Sequence, residues 1–252
     1  LVGSEMCIRD RYMAMLKTLK SYIPNTITCL NLLSGTLAII MAFNFYHTIG
    51  PLLGFQWAFI LIGAAAVFDF LDGASARLLH AYSDMGKELD SLSDLVSFGI
   101  APAMLLTNYI NYFNPGFTPW SLAPLFMVAM GALRLAKFNI DTRQTTSFIG
   151  LPIPANAIFW VGMLAWLAHS SYPGNIVITL MIVAVSLLMV CNLPMFSLKF
   201  KNFSLADNYR RYLILLAAIL FIITGGLPGL AWAIMLYILL SVATAIITHN
   251  KQ

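Results

Sequence analysis

Residues 69–94 read DFLDGASARLLHAYSDMGKELDSLSD and hold six of the ten acidic residues of this chain. Apolar stretches flank the segment at 52–70 and 95–112, and each has close to the roughly 20 residues that a helix needs to cross a bilayer. The pattern predicts two membrane-spanning helices joined by an acidic turn. Because carboxylates are costly in or near hydrocarbon, their concentration at this turn indicates a functional site.

The composition predicts a membrane protein along the whole chain. Of the 252 residues, 60% are apolar and only 10% are charged, and the mean hydropathy is +0.83. These values lie outside the range of soluble globular domains. The net charge of +4 is explained by basic loops that meet anionic membrane lipids. No basic patch is interleaved with aromatic residues, so no nucleic acid partner is expected.

The apolar pattern predicts an all-α fold, a polytopic bundle of transmembrane helices. Windows of suitable length follow one another along the chain, and we count about eight spans. They lie at 27–46, 52–70, 95–112, 122–138, 153–168, 176–196, 212–225 and 230–248. The seventh window is short and ends in the sequence GGLPG at 225–229, which predicts a tight turn rather than continuous helix.

The basic residues predict the orientation of the bundle, because Lys and Arg in short loops accumulate on the cytoplasmic side. Alternate loops contain them: Lys17 and Lys20, then Arg77 and Lys87, then Arg134, Lys137 and Arg143, then Lys199, Lys201, Arg210 and Arg211, and finally Lys251. The opposite loops, at 47–51, 111–120, 169–175 and 225–229, contain neither. With eight spans, both termini and the acidic segment are expected in the cytoplasm, whereas seven spans would place Lys251 outside.

Four aspartates of the acidic segment are spaced so that they can converge. Asp69 and Asp72 are three residues apart, and Asp90 and Asp94 are four apart, so each pair projects from one helix face. A turn around 80–86 would let the two pairs face each other. Four facing carboxylates repel one another near hydrocarbon, and one or two divalent cations would remove the repulsion.

The types of residue around these aspartates indicate the chemistry. Oxygen ligands without nearby Cys, and without His at ligand spacing, favour Mg²⁺ or Mn²⁺ over zinc. Mg²⁺ is commonly held by few carboxylates together with substrate phosphates. Small residues at 73–76 leave room for a large head group, and Arg77 could clamp a phosphate. These features predict metal-assisted phosphoryl transfer, while Asp84 and Glu88 lie outside the pattern and are expected to face water near Lys87.

The same residues carry a resemblance to a known family. They form the pattern Asp69-x-x-Asp72-Gly73-x-x-Ala76-Arg77, eight residues, then Gly86-x-x-x-Asp90-x-x-x-Asp94. This pattern resembles, without gap or substitution, the signature of the CDP-alcohol phosphatidyltransferases. The resemblance implies transfer of a phosphatidyl group from a CDP-linked lipid to an alcohol hydroxyl, with release of CMP. It also implies a homodimer.

The resemblance assigns roles to single residues. Asp69, Asp72 and Asp90 match the metal ligands of the family, and Asp94 matches its proposed general base. Asp94 could also touch the edge of the metal site, and the sequence does not distinguish a fourth ligand from a base. The residues that would line the CDP-lipid site are Gly73, Ala76, Arg77 and Gly86.

The first predicted span contains a motif that also looks like this family, PNTITCLN at 24–31. Asn25, Thr28 and Asn31 are spaced at three residues and form one polar stripe on an apolar helix. The stripe could face the nucleotide or bond neighbouring helices. We favour the nucleotide, with Asn25 and Thr28 in the CDP-lipid site.

Two later segments, GALRLAKFN at 131–139 and FIGLPIPANA at 148–157, resemble the phosphatidylserine synthase branch of the family. The branch implies CDP-diacylglycerol and L-serine as substrates, with Arg134, Lys137 and Asn139 at the acceptor site. Lys137 stands where the branch commonly has Arg, and positive-inside anchoring is an alternative role for it. The prolines of GLPIP are either ordinary helix-start residues or part of a substrate entry loop.

The first dozen residues are polar, lack the apolar run of a signal peptide and precede a more natural start at Met13 or Met15, so we expect a non-native leader at 1–12. The resemblance implies a catalytic core of six helices, which we place at 13–196, with a basic cytoplasmic loop and two further helices at 197–252. The expected location is the bacterial cytoplasmic (inner) membrane, with the active site on the cytoplasmic side.

Two alternative functions remain open at this point. The same chemistry could use another acceptor, such as glycerol 3-phosphate, inositol phosphate or another alcohol. A phosphorylated acceptor should need a further basic cluster near the aspartates. From another class, an ion-coupled transporter could use the acids as a cation site, although transporters often carry paired repeats and these acids have no counterpart later in the chain.

Overall fold

A computed structural model of the chain describes residues 2–116, 118–140, 148–195 and 205–249. The predicted features at Arg143, Phe196, Lys199, Lys201 and Lys251 lie outside the described residues. The described residues are mostly helical, as the apolar pattern predicted. Two short antiparallel pairings of two residues each are the only strands among them.

The helices, in chain order, are α1 Val2–Ala42, α2 Gly54–Leu78, α3 Asp84–Asp94, a π-helical segment Leu95–Ile100, α4 Ala101–Phe113, a 3-10 turn Pro119–Leu122, α5 Ala123–Ile140, α6 Ile153–Leu167, α7 Asn175–Val190, α8 Leu205–Gly225 and α9 Gly229–His249. The strands are β1 Thr48–Ile49, paired with β2 Leu52–Leu53, and β3 Phe148–Ile149, paired with β4 Pro194–Met195. Each of the eight predicted windows overlaps a helix, although those at 27–46 and 176–196 extend beyond the ends of α1 and α7.

Four of the described helices are long and apolar enough to cross a membrane. They are Tyr22–Ala42, Gly54–Leu78, Asp84–Phe113 and Pro119–Ile140. The other four predicted windows fall on shorter apolar helices. For example, α6 and α7 have 15 and 16 residues, or about 22 to 24 Å at 1.5 Å per residue, against a hydrocarbon core of roughly 30 Å. The count of eight spans therefore stays a prediction.

The described residues form two compact units, one up to Ser97 and one from Phe98 onward. This boundary reflects packing and does not test the expected division at 12 and 196. The first unit contains α1, α2 and α3, and α1 packs against both of the others. The β1–β2 hairpin connects α1 to α2, and the Trp57 indole donates a hydrogen bond to Ile49 O at 2.8 Å.

A close contact joins α1 to the end of α3. The Ser93 hydroxyl donates to Thr28 O at 3.1 Å, and the Ser97 hydroxyl donates to Asn31 O at 3.0 Å. Gly35 allows this approach, because a Cβ atom there would lie 2.6 Å from Ser97 Cα. Since Ser93 pairs with Thr28 and Ser97 with Asn31, the two helices run in the same direction in matched register.

The helix that follows the acidic turn begins earlier than its apolar window indicated. Its first residue is Asp84, and Ser83 caps it by accepting a hydrogen bond from Gly86 N at 3.0 Å. The connecting turn is therefore shorter than the predicted 80–86, and Gly86 lies within the helix. The apolar window did not include this helix start because the first turns of α3 are polar. A serine at the position before a helix is nevertheless a recognisable signal of its N-terminus.

The second unit has α6 at its centre. Trp160, Phe159 and Leu164 on α6 are fully or almost fully buried. The Tyr109 hydroxyl of α4 donates to Leu167 O, at the end of α6, at 3.3 Å. The sequence GGLPG forms the predicted tight turn between α8 and α9, and Gly226 has a φ of +62° there.

The GLPIP segment packs against the end of α7. Gly150 N donates to Leu193 O at 2.9 Å, and Leu151 N donates to Leu188 O at 2.8 Å. Gly150 has a φ of +78°, and a Cβ atom there would lie 3.0 Å from the Met189 carbonyl carbon. These contacts favour the helix-start role of the segment over a substrate entry loop.

A closed polar cluster connects α4 to the start of α7 in the same unit. Asn114 Nδ2 donates to Asn175 Oδ1 at 2.9 Å, and Asn175 Nδ2 donates to Asn114 Oδ1 at 2.8 Å. The Tyr172 hydroxyl donates to Asn175 Oδ1 at 2.5 Å. The ring of Tyr172 stacks on the ring of Phe113, with the two centroids 4.6 Å apart. Each of the three polar side chains therefore has partners within the cluster.

Candidate active site

Of the four aspartates whose spacing predicted convergence, three form one group in the first unit. Asp69 and Asp72 lie one turn apart on α2, and Asp90 lies on α3. One carboxylate oxygen from each of the three lies within 4.8 Å of the other two. We call these three residues the Asp triad.

The donor set of the Asp triad fits a divalent cation. Asp72 is only 6% exposed. Asp72 Oδ2 and Asp90 Oδ1 are buried atoms without a hydrogen-bond partner among the described residues. An unpaired buried carboxylate oxygen is costly, and the three carboxylates also repel one another. A hard cation with oxygen ligands would relieve both costs, so the triad could hold such an ion.

Asp94 lies next to the triad on α3 but does not belong to the group that converges within 4.8 Å. Its carboxylate interacts electrostatically with all three aspartates of the triad. Its Oδ1 atom is buried and lacks a hydrogen-bond partner among the described residues. The choice between a base and a fourth ligand therefore stays a prediction, and the geometry places Asp94 at the edge of the triad.

A cleft of about 220 Å³ opens beside the triad, also within the first unit. Its lining residues come from α1, α2, α3 and the acidic turn: Pro24, Asn25, Thr28, Asp72, Gly73, Ala76, Ala81, Tyr82, Ser83, Gly86, Lys87 and Asp90. We call it the triad cleft. Its volume is below the roughly 300 to 1,000 Å³ of pockets that enclose whole small ligands, so it suits the head of a larger molecule.

The residues predicted to bind the CDP-lipid include five that line the triad cleft: Asn25, Thr28, Gly73, Ala76 and Gly86. At Gly73, an added Cβ would meet only the Arg77 Nη2 atom, at 4.0 Å, so the space above the glycine is open. At Gly86, an added Cβ would lie 3.1 Å from Asn25 Oδ1. Gly86 therefore lets α3 approach α1 at the cleft wall, whereas Gly73 leaves room for a ligand.

Arg77 does not line the cleft. Its Nε atom donates to Gly73 O at 2.9 Å, on its own helix, and the side chain is exposed. This local hydrogen bond holds the base of the guanidinium against α2. The predicted phosphate clamp at Arg77 stays a prediction.

The sequence reading did not assign Lys87 and Tyr82 to the site, yet both line the triad cleft. Lys87 lies one turn before Ser91 on α3 and brings a positive charge to an otherwise acidic wall. The sequence signal was available, because Lys87 is three residues from Asp90 on the same helix. Asp84 and Glu88 are exposed, as expected.

The polar stripe of α1 runs from the triad cleft to the contact with the facing helix, and its role toward the nucleotide stays a prediction. Asn25 and Thr28 line the triad cleft, and the Thr28 side chain also interacts with the Asp72 carboxylate. The main-chain oxygen of Thr28 accepts a hydrogen bond from Ser93 of α3, and that of Asn31 accepts one from Ser97 of the π-helical segment. Asn31 itself is fully buried and lies beside Asp94.

The residues predicted at the acceptor site lie near the end of α5, in the second unit. Arg134 is 7% exposed, and its guanidinium lies 5.8 Å from the centroid of the Phe138 ring. Lys137 Nζ donates to Asn192 Oδ1 at 2.7 Å and to Val190 O at 3.5 Å. Lys137 thus caps the end of α7. Asn139 is half-buried, and acceptor binding by these three residues stays a prediction.

Residues 21–191 match the protein family described as CDP-alcohol phosphatidyltransferase. The matched range includes the Asp triad, Asp94, the triad cleft and α5. It ends before α8, so α8 and α9 lie outside the family match.

Several curated proteins are similar to the chain, and each is named CDP-diacylglycerol–serine O-phosphatidyltransferase. The Bacillus subtilis protein is 43% identical over 134 residues, which are 53% of this chain and 70% of that protein. The Methanocaldococcus jannaschii protein is 38% identical over 160 residues, 64% of this chain and 68% of that protein. The Helicobacter pylori strain J99 protein is 39% identical over 140 residues, and the alignment spans only 55% of its length.

Proposed function

The chain belongs to the CDP-alcohol phosphatidyltransferase family, and from this premise we propose that it transfers the phosphatidyl group of CDP-diacylglycerol to the hydroxyl of L-serine, with release of CMP. One observation carries the proposal. Asp72 and Asp90, two members of the Asp triad whose oxygens lie within 4.8 Å of one another, line a cleft in which the small residues Gly73 and Ala76 form the α2 wall. Such a site suits a diphosphate better than an apolar ligand.

The substrate head is expected in the triad cleft. The small side chains of Gly73 and Ala76 leave space along the α2 wall of the cleft. Asn25 and Thr28 of α1 offer polar groups to the substrate head, and Lys87 offers it a positive charge. Asp69, Asp72 and Asp90 would hold Mg²⁺ or Mn²⁺, one ion or two, with the diphosphate. The ion would supply positive charge that offsets the diphosphate and the developing charge on the leaving CMP.

Asp94 is the proposed general base. In the reaction, Asp94 accepts the proton of the serine hydroxyl as the hydroxyl oxygen attacks the phosphatidyl phosphorus. The new phosphorus–oxygen bond forms while the bond to the CMP oxygen breaks, and CMP keeps the electron pair. The position of Asp94 at the edge of the Asp triad supports this role, because it lies near the reacting phosphate without being one of the converging ligands.

The serine acceptor is supported by the relatives. Similar proteins from a Bacillus, a Helicobacter and a Methanocaldococcus are all named as enzymes that use serine. The acceptor carboxylate would need a cation, and Arg134 is the buried candidate, with Asn139 nearby on α5. Lys137 donates a hydrogen bond to Asn192 beyond the end of α7, so we assign it a smaller part in binding the acceptor carboxylate.

We propose that the chain is an integral protein of the bacterial inner membrane. Four helices suited to crossing a membrane support the membrane location. The distribution of Lys and Arg supports eight spans, cytoplasmic termini and a cytoplasmic triad cleft. A homodimer is part of the proposal through the family resemblance, and cross-linking of the purified protein would test it.

Product analysis tests the proposed function. Purified protein is incubated with CDP-diacylglycerol, labelled serine and Mg²⁺ or Mn²⁺, and phosphatidylserine and CMP are measured together. Equal amounts of the two products, lost on chelation of the divalent ion, are expected. The exposed Asp84 offers a control, since Asp84→Asn should keep activity.

The other functions make different predictions in the same assay. Turnover of glycerol 3-phosphate or an inositol phosphate without phosphatidylserine would overturn the serine assignment while keeping the chemistry. No release of CMP with any acceptor, together with ion flux in vesicles, would replace the enzyme proposal by a transporter.

A further inference from the structure

Asn31 is a buried polar residue that neither the cleft nor the Asp triad uses. It is 0% exposed, and its Nδ2 and Oδ1 atoms have no hydrogen-bond partner of regular geometry among the described residues. A buried amide without partners costs free energy, so a purely structural role would not explain why it stands there.

The helix contact fixes where Asn31 lies. Its main-chain oxygen accepts a hydrogen bond from Ser97, and the main-chain oxygen of Thr28, one turn earlier, accepts one from Ser93. Asp94 stands between Ser93 and Ser97 on the facing helix. The register of the two helices therefore brings Asn31 level with Asp94, and the Asn31 side chain interacts with the Asp94 carboxylate.

The buried carboxylate of Asp94 needs a neutral hydrogen-bond donor. Its surroundings include the three carboxylates of the Asp triad, which repel it, and its Oδ1 atom is buried without a hydrogen-bond partner among the described residues. The amide of Asn31 is the neutral group that can donate an N–H to it.

We propose that Asn31 is a positioning residue for Asp94: its amide donates to the Asp94 carboxylate and holds it toward the acceptor hydroxyl. The inference rests on the proposed function, in which Asp94 removes the acceptor proton. It assigns different roles to two turns of one helix. Asn25 and Thr28 contact the CDP-lipid head, whereas Asn31 acts only through Asp94.

A pair of variants of nearly equal shape tests the proposal. Asn31→Thr keeps a hydrogen-bond donor and Asn31→Val does not. Asn31→Val should lower kcat by about 10- to 100-fold, the range expected for one hydrogen bond to a charged group. Asn31→Thr should keep several-fold more kcat than Asn31→Val. Neither variant should change the KM for CDP-diacylglycerol or the binding of CDP measured by calorimetry.

Controls separate positioning from damage to the helix. Thr36 is exposed on α1, and Thr36→Val should behave as the wild type. Asn25→Val, at the cleft, should raise the KM for CDP-diacylglycerol. If Asn31→Val does not fold, the pair Asn31→Ser and Asn31→Ala repeats the comparison with less bulk.

Equal kcat in the Thr and Val variants would overturn the proposal, and so would loss of CDP binding in both. Failure of the serine assignment would look different. The wild type would then turn over another alcohol, and the ratio of kcat values between the two variants could still be measured with that alcohol.

Discussion

Two polar clusters in this apolar chain differ in how their atoms are paired. In the cluster of Asn114, Tyr172 and Asn175, the three side chains bond one another at 2.5 to 3.4 Å. Around the Asp triad, one oxygen each of Asp72, Asp90 and Asp94 is buried without a hydrogen-bond partner of regular geometry among the described residues.

The difference separates a structural cluster from a functional one. Polar groups that satisfy each other connect helices and need no ligand. Polar groups that stay buried and unpaired are retained where a ligand completes them, at a cost to the stability of the protein. The Asp triad could therefore hold a cation, whereas the Asn114 cluster links parts of the fold.

The largest effect is expected at the edge of the triad. Asp94→Asn should lower kcat by about 10²- to 10⁴-fold, the usual contribution of a general base. Binding of CDP should remain, because Asp94 does not line the triad cleft. Steady-state kinetics and calorimetry check the two parts. Glu88→Gln, an exposed acid on the same helix, is the control and should keep full activity. A near-normal kcat in Asp94→Asn would contradict the role of Asp94 as the general base.

A smaller effect is expected where α1 meets α3. Gly35→Ala should lower stability by about 1–3 kcal/mol, the cost of overpacking, because the new Cβ would lie 2.6 Å from Ser97 Cα. Thermal unfolding in detergent and activity should fall together, since the contact sets the register of Asn31 and Asp94. Gly63 is the matched control, because a Cβ there meets nothing within 4 Å. Equal behaviour of the two alanine variants would contradict the close helix contact.

The smallest effect is expected in the satisfied cluster. Tyr172→Phe removes the hydroxyl that bonds Asn175 and should cost about 0.5–1.5 kcal/mol of stability. The kcat should not change, because none of the three side chains lines the triad cleft. Tyr22→Phe, at a ring that is 61% exposed, should change neither quantity. A drop in kcat for Tyr172→Phe would contradict the purely structural role of the cluster of Asn114, Tyr172 and Asn175.

The sequence was sufficient to predict those parts of the site that depend on helix geometry. Spacings of three and four residues put Asp69, Asp72 and Asp90 on facing sides of two helices, and the Asp triad has this arrangement. Small residues at Gly73 and Ala76 predicted an open wall, and both line the cleft.

Features that depend on contacts between distant residues could not be predicted. Ser93 and Ser97 bond residues 65 and 66 positions away, and no local pattern announces such partners. The hydrogen bond from Lys137 to Asn192, 55 positions later in the chain, is another contact that no local pattern announces. The hydrogen bond from Arg77 Nε to Gly73 O, on its own helix, was not predicted, and the phosphate clamp at Arg77 stays a prediction.

The most direct test of the account is a Mn²⁺ titration followed by electron paramagnetic resonance on the wild type, Asp72→Asn and Asp94→Asn. If the Asp triad holds the cation and Asp94 acts as base, Asp72→Asn loses most of its Mn²⁺ affinity and Asp94→Asn keeps nearly the wild-type affinity. Equal loss of affinity in the two variants would contradict the separation of ligand and base, and no Mn²⁺ binding by the wild type with CDP-diacylglycerol present would contradict the cation site itself.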